Sequence, residues 1–300
     1  SNSGTFTNFD VALFTATSAI TITGLAIVNT SSYWSLIGQA IIFTLMIVGG
    51  VSLISVTAFL LTSIGHDYLL PQRGTSIRPL GSSNIKLAYI TRNIVIATCI
   101  FYILGSTAIF WNLHTSISQD IGSSIWQSIF LSVSAFNNAG FSIMPDIPTT
   151  GMNSEIISGQ FLPISILFLI IIGGLGWPVL VDMYQKKKVN RLSLNTKLVL
   201  TTSLFLWIIG ACIFIFAEHS NTLTNLSLFD KLWYSLFHSV SGRTAGFTTI
   251  DFQSVQDFTK LTYSALMFIG GGSASMAGGI KINAFAVIIV AVISSLKGRL

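Results

Sequence analysis

The sequence predicts an all-α membrane protein made of repeated units, each a spanning helix, a re-entrant loop and a second spanning helix. Of the 300 residues, 51% are hydrophobic and only 8% are charged, whereas soluble domains carry about 25% charged residues. The mean hydropathy is +0.75. A glycine-containing motif also recurs along the chain with a period of about 110 residues.

Uncharged stretches define the predicted elements. No charged side chain occurs at residues 11–65, and one spanning helix needs only about 20 apolar residues. We therefore expect two elements there, a re-entrant segment at 10–28 and a helix at 33–65. The later stretches predict one helix–loop–helix unit at 86–113, 123–144 and 155–184, and another at 197–218, 229–249 and 257–298.

The recurring motif places a glycine after an aromatic residue and a Ser/Thr-rich apolar turn. Its three copies are FTATSAITITGLAIV at 14–28, FLSVSAFNNAGFSI at 130–143 and FHSVSGRTAGFTTI at 237–250, with glycines Gly24, Gly140 and Gly246. A glycine pair follows each copy inside the next apolar stretch, at 49–50, 173–174 and 270–271. The glycine motif and the glycine pair that follows it recur in the same order, which indicates a true internal repeat.

The domain organisation follows from this repeat. We predict a first repeat at 1–65 that lacks its opening helix, with its loop at 10–28 and its helix at 33–65. A linker at 66–85, a second repeat at 86–184, a basic linker at 185–196 and a third repeat at 197–300 follow.

The charge distribution predicts the orientation in the membrane. Lysine and arginine concentrate at 66–92, at 186–197 and at the C-terminus, whereas the other loops carry aspartate and glutamate. Because basic segments remain on the cytoplasmic side, we expect both linkers to be cytoplasmic. The basic residues are not interleaved with aromatic ones, so nucleic-acid binding is not predicted.

Re-entrant loops in a membrane indicate a pathway for ions. Unpaired backbone groups in lipid cost several kcal/mol each, so such loops must line a polar route or be buried in protein. Carbonyl groups from several loops can replace the hydration shell of a cation, and glycine permits the close approach. We expect a cation pathway and no enzyme, because the chain lacks a nucleophile-elbow G-x-S-x-G motif. A non-transporting membrane scaffold remains an alternative.

At these motifs the chain resembles the Trk/Ktr/HKT superfamily of potassium and sodium translocators, and most closely the Ktr-type membrane subunits. The resemblance lies in TSAITITGL at 17–25, SAFNNAGF at 134–141, RTAGF at 243–247 and LMFIGGGSASMAGGIK at 266–281. The basic join RLSLNTKL at 191–198 is also similar.

The resemblance implies four repeats around one pseudo-fourfold pore, of which this chain would hold two and a half, as a fragment. It implies potassium as the transported substrate, with no cofactor. Gly24 at the first filter position favours potassium, and a sodium-selective or poorly selective pathway is the alternative. The implied filter residues are Thr21, Ile22, Thr23, Gly24, Asn137, Asn138, Ala139, Gly140, Thr244, Ala245 and Gly246.

The resemblance also implies an intramembrane gate in the third repeat, at 270–279, a segment too rich in glycine to hold a rigid helix. Close packing of small residues is the alternative. We expect Lys281 either to bind this gate, to repel cations, or to extend toward the cytoplasmic face. The implied gate residues are Gly270, Gly271, Gly272, Ser273, Ala274, Ser275, Gly278, Gly279 and Lys281.

The implied partners are membrane lipid, a second copy in a homodimer, and a cytoplasmic nucleotide-binding regulatory ring. The implied location is the plasma membrane, with several spans. From the residues themselves, we expect Arg243 to support its loop from behind through an ion pair or carbonyl contacts, and a role in shaping the pore potential is the alternative. His238 is expected to be a buried, hydrogen-bonded side chain. Cys99 and Cys212 are expected to be small buried hydrophobic residues.

Overall fold

The computed structural model describes residues 2, 6–63, 82–116, 120–144, 161–224, 226–250 and 254–298, without the side chains of 53–63 and 82–90. Its regular structure within these ranges is helical. The helices are α1 (Phe9–Ile20), α2 (Thr30–Tyr33), α3 (Leu36–Ser63), α4 (Ser82–Ser116), α5 (Ile121–Phe136), α6 (Phe161–Leu175), α7 (Trp177–Lys186), α8 (Leu194–Glu218), α9 (Leu228–Ser241), α10 (Asp257–Phe268) and α11 (Ile282–Leu296).

Within the described residues, two helices are long and apolar enough to cross a bilayer. Thr91–Thr115 within α4 and Leu194–Glu218, which is α8, each have 25 residues, or about 37 Å at the helical rise of 1.5 Å per residue. The hydrocarbon core is about 30 Å thick. The pair α6 and α7 forms a third span if the two bent helices are counted together.

Helix α9 is shorter than a spanning helix. Its 14 residues reach only about 21 Å. Residues 256 and 259 lie at the end of α8, because the Glu218 carboxylate accepts hydrogen bonds from the Gln256 N–H at 2.9 Å and from the Thr259 hydroxyl. The start of α10 is therefore at the end of the bundle where α8 ends.

Helices α5 and α9 pack on their neighbours through similar contacts. The Ser132 hydroxyl donates to the Tyr102 carbonyl of α4 at 2.8 Å, and the Ser239 hydroxyl donates to the Trp207 carbonyl of α8 at 2.7 Å. A glycine faces each serine. A Cβ at Gly105 would lie 2.4 Å from Ser132 Oγ, and one at Gly210 would lie 2.3 Å from Ser239 Oγ. Glycine is therefore needed for helices this close.

The glycine pairs found in the sequence receive the ends of α1 and α5. A Cβ at Gly49 of α3 would lie 2.2 Å from the Ile20 carbonyl oxygen, at the end of α1. A Cβ at Gly173 of α6 would lie 1.8 Å from the Phe136 carbonyl oxygen, at the end of α5. Both glycines thus let a helix contact main chain directly.

Two predicted spanning helices are interrupted. The helix expected at 155–184 is divided at Gly176 into α6 and α7, which are bent by 95°, and 155–160 lies outside the described residues. The helix expected at 257–298 is divided into α10 and α11 by irregular backbone at 269–281. The interruption at 270–279 was expected from its glycine content and from the family resemblance, whereas the break at Gly176 was not, because glycine occurs in helices as well as between them.

The predicted basic linker at 185–196 ends earlier than expected. Helix α8 begins at Leu194, because the Ser193 hydroxyl accepts from the Thr196 N–H at 3.2 Å and caps the helix. Most of the other predicted linker, at 66–81, lies outside the described residues. Ser82 already begins α4.

The expectation that both cysteines are buried is wrong. Cys99 and Cys212 are free and exposed on the protein surface. They lie on the spanning helices α4 and α8, whose apolar residues face outward as well as inward. Apolar surroundings in the sequence of a membrane protein do not therefore imply burial within the protein.

The contact between α6 and α5 generates a stability prediction. We expect Gly173→Ala to lower the free energy of unfolding by about 1–3 kcal/mol, since the added methyl group overpacks the Phe136 carbonyl. Thermal unfolding of the purified protein in detergent measures this. Gly174→Ala is the matched control, because a Cβ there meets nothing within 4 Å. Equal melting temperatures for the two variants would contradict the packing described.

Candidate functional site

The structure brings the three motif glycines together. A Cβ on Gly24 would lie 2.3 Å from the Ala139 carbonyl oxygen, and a Cβ on Gly140 would lie 2.6 Å from the Ala245 carbonyl oxygen. A Cβ on Gly246 would lie 3.5 Å from the Gly140 Cα. The loop of the second repeat therefore lies between the first and third loops, with its main chain against both.

The first two loops share one backbone conformation. Ile22 and Asn138 both have φ of 56°, a left-handed conformation that is uncommon for residues other than glycine and unusual for a β-branched one. Each loop closes its helix with the same pair of hydrogen bonds, the Schellman pattern of a helix C-terminus. The bonds run from Ile22 N to Ala19 O and Thr23 N to Ser18 O, and from Asn138 N to Ala135 O and Ala139 N to Ser134 O.

The third loop departs from this pattern. The N–H groups of both Ala245 and Gly246 point to the Ser241 carbonyl, at 2.8 and 3.2 Å. Only Gly246 has a positive φ, of 77°. The difference has a source in the sequence, because the third motif has one residue fewer between its aromatic residue and its glycine.

A cavity of about 560 Å³ separates the first loop from the third. Asn137, Asn138 and Ala139 of the middle loop are buried, whereas Thr21 and Thr23 of the first loop are exposed. The cavity is lined by Thr21, Ile22, Thr23, Gly24, Leu25, Arg243, Thr244, Gly246, Thr248, Tyr263, Met267, Gly278 and Gly279. The first and third loops thus line this cavity, and none of residues 137–140 does.

The helix ends at the loops favour a cation, whereas Arg243, a positively charged residue that also lines the cavity, opposes one. Helices α1, α5 and α9 all end at this place, and each helix C-terminus carries about half a negative charge. No carboxylate is found among the residues that line the cavity. Across the described ranges no group of three or more His, Cys, Asp or Glu side chains could hold a metal. Main-chain carbonyls and hydroxyls are therefore the ligands that the loops offer.

The Asn137 side chain holds the middle loop from behind. Its Oδ1 accepts from the Tyr102 hydroxyl of α4 at 2.8 Å, and its Nδ2 donates to the Met46 carbonyl of α3 at 3.4 Å. Gly50 leaves the space, since a Cβ there would lie 2.9 Å from Asn137 Oδ1. This role of Tyr102 was not predicted from the sequence. The one signal for it there is the polar hydroxyl group of Tyr102 within an otherwise apolar helix.

Arg243 lies where carbonyl contacts were expected. Its guanidinium donates to the Gly270 carbonyl and, at 3.4 Å, to the Ile269 carbonyl. The guanidinium carbon also lies 5.9 Å from the centre of the Trp207 ring. The prediction of carbonyl contacts behind the loop is confirmed, and the contacts join the third loop to the glycine segment, residues 270–279.

The glycine segment folds back on itself between α10 and α11. The Gly270 N–H donates to the Ile280 carbonyl at 2.9 Å, and the Ile280 N–H donates to the Phe268 carbonyl at 3.0 Å. The Lys281 ammonium lies 2.6 Å from the Ala277 carbonyl oxygen. Of the alternatives for Lys281, this geometry favours contact with the segment.

His238 is buried and hydrogen-bonded, as predicted. Its Nε2 lies 2.7 Å from the Thr249 hydroxyl, and its ring stacks on Phe214 at 4.8 Å. Phe214 and Glu218 are one turn apart on α8, so this cluster joins α8, α9 and the chain after the third loop. It supports the loop and does not line the cavity.

Comparison with known proteins identifies the family. The family TrkH, described as a cation transport protein, matches residues 2–299. This chain belongs to the TrkH family. It is therefore a multi-pass membrane protein, in agreement with its apolar helices.

Curated relatives extend the comparison. The chain is 36% identical over 294 residues to the Ktr system potassium uptake protein B of Bacillus subtilis, covering 96% of this chain and 64% of the relative. It is 32% identical to the protein of the same name from Vibrio alginolyticus, covering 96% and 63%. It is 31% identical to the potassium/sodium uptake protein NtpJ of Enterococcus hirae, covering 100% and 65%. This TrkH family chain thus spans a little under two thirds of these relatives.

A solved structure has the same fold. The potassium transporter TrkH from Vibrio parahaemolyticus superposes with a TM-score of 0.74 at 19% identity, covering 97% of this chain and 56% of that one. The likeness establishes the helical architecture of the described residues.

The support of the middle loop generates a second prediction. Tyr102→Phe leaves Asn137 Oδ1 buried without its donor, which costs about 1–3 kcal/mol. We expect a lower melting temperature in detergent. Tyr184→Phe is the control, since Tyr184 is 81% exposed. If Tyr102→Phe melted at the temperature of the control, the hydroxyl contact would contribute nothing to the loop.

Proposed function

We propose that the protein translocates potassium across the plasma membrane through a selectivity filter of main-chain carbonyls. The observation that carries this proposal is the mutual approach of the three loops, with Gly24 against Ala139 and Gly140 against Ala245. Carbonyl groups gathered in this way can take the place of water around a dehydrated cation. Membership in a cation transport family supports this function over a scaffold or an enzyme.

The filter is proposed to have four sides, of which this chain supplies three. The equivalent serine and glycine contacts of α5 and α9 support a repeated unit, and the shared conformation of the first two loops supports a common axis. The open fourth side is the cavity of about 560 Å³ between Thr21 and Thr244. A further loop of the complete protein would close it there.

Potassium is the proposed substrate, and a sodium-selective or poorly selective pathway is the alternative. Two of the relatives are named for potassium uptake, and the Enterococcus relative is named for potassium and sodium. Glycine at position 24, the first filter position, favours potassium through the family resemblance. Carbonyl number and field strength also set the selectivity.

The glycine segment is proposed to be the gate. It lies next to the third loop, since Arg243 contacts the Gly270 carbonyl and both Gly278 and Gly279 line the cavity. Backbone without helical bonds can rearrange at lower cost than a helix. The proposed partners are a second copy in a homodimer, bound lipid and a cytoplasmic nucleotide-binding ring. Only the family resemblance supports them.

Uptake measurements on the complete protein test the function. In proteoliposomes we expect rubidium or potassium uptake that excess sodium competes with weakly. If excess sodium inhibits this uptake as strongly as excess unlabelled potassium does, the potassium assignment is overturned. Absence of any cation uptake by folded, reconstituted protein would favour the scaffold.

The filter role of the glycines predicts a graded series of variants. Gly140→Ala combines a φ of +70° with a Cβ at 2.6 Å from the Ala245 carbonyl, whereas Gly246→Ala has the positive φ but no close neighbour. We expect Gly140→Ala to reduce potassium uptake at least about tenfold and to lower the preference over sodium, with a smaller effect for Gly246→Ala. Gly174→Ala, with neither constraint, is the control. An unchanged potassium-to-sodium ratio in Gly140→Ala would contradict the filter assignment.

A further inference from the structure

The break between α6 and α7 leaves polar main chain to be satisfied. Helix α6 ends at Leu175, and α7 begins at Trp177 after a bend of 95°. The last carbonyls of a helix have no partner within the helix. In the first repeat, by contrast, α3 continues through Gly49 and Gly50 without a break.

The glycine segment of the third repeat supplies the missing partners. The Gly272 N–H donates to the Gly174 carbonyl at 2.9 Å, and the Met276 N–H donates to the Gly173 carbonyl at 3.1 Å. In the other direction, the Trp177 N–H donates to the Ala274 carbonyl at 3.3 Å. Three main-chain hydrogen bonds therefore join the broken helix to the segment.

Close packing accompanies these bonds. Gly176 has a φ of +89°, and a Cβ there would lie 2.5 Å from the Ser273 carbonyl oxygen. From the other side, a Cβ on Gly272 would lie 2.2 Å from the Leu175 carbonyl oxygen. A side chain at either position would force the two backbones apart.

The far end of α7 is anchored near the basic linker. The Asp182 carboxylate accepts from the Ser193 N–H at 2.8 Å and pairs with Lys186 at 2.6 Å. Ser193 caps α8, so α7 is fixed to the start of that helix. A movement of the linker would therefore be transmitted through the short helix α7 to the break at Gly176.

We propose that Gly176 is a positioning residue for the gate: the broken end of α6 holds the glycine segment in its blocking position through the three main-chain bonds. This inference rests on the proposed gate function of the segment. It adds that the second repeat, and not the third alone, controls the segment. Displacing the segment from the pathway requires these bonds to open together.

Thiol labelling tests the contact without any transport measurement. Ser275, which is 6% exposed, is replaced by cysteine in a Cys99→Ser, Cys212→Ser background, and the rate of maleimide labelling is measured in detergent. We expect Gly176→Ala and Gly272→Ala each to raise this rate on the order of tenfold, as for the loss of a net hydrogen bond. Gly174→Ala is the control, since a Cβ there meets nothing within 4 Å.

Potassium uptake by the same variants in proteoliposomes separates the two proposals. Faster labelling together with raised uptake supports both, because general structural damage would lower uptake. Faster labelling without cation uptake in any variant or in the parent protein would overturn the transport function and leave the positioning role standing. Unchanged labelling in both Gly176→Ala and Gly272→Ala would overturn the positioning role.

Hydrogen exchange on the unsubstituted protein provides a test that no folding defect can affect. The amides of Trp177, Gly272 and Met276 are expected to share one free energy of opening, obtained by dividing each exchange rate by its intrinsic rate, since a single opening exposes all three. Independent exchange of these amides would contradict the proposal.

Discussion

Main-chain polar groups inside a membrane must be paired, and the arrangement of this protein follows from that constraint. Helices α1, α5 and α9 end within the bundle, where their last turns and the following loops have no helical partners. The Schellman bonds after α1 and α5 satisfy part of this requirement. The remaining carbonyls lie beside those of neighbouring loops, where the proposed cation would be their partner.

Glycine makes these close approaches possible, in different ways at different positions. Gly24 and Gly140 combine a left-handed conformation with the close approach of the next loop, whereas Gly173 and Gly210 only make room on a helix surface. Equivalent glycine pairs have also diverged. The pair in α3 lies within a continuous helix, the pair in α6 is followed by a break, and the pair after α10 begins the irregular segment that α6 binds.

Much of this architecture was predictable from the sequence. Membrane elements near the observed helices were predicted from the scarcity of charged residues, the spacing of the motif glycines and the glycine pairs. The predictions of a buried, hydrogen-bonded His238 and of carbonyl contacts for Arg243 are confirmed. The break at Gly176 and the support of Asn137 by Tyr102 were not predictable. Both depend on which distant backbone lies opposite, and one sequence does not contain that information. The roles of the loop residues in a filter remain predictions.

The most direct test of the central claim is an anomalous-scattering map of the complete protein with rubidium in place of potassium. The protein is expected to hold an ion at the centre of the loops, within coordination distance of main-chain carbonyls from residues 21–24, 137–140 and 244–246. An ion held by side chains elsewhere, with these carbonyls directed away from the common centre, would contradict it.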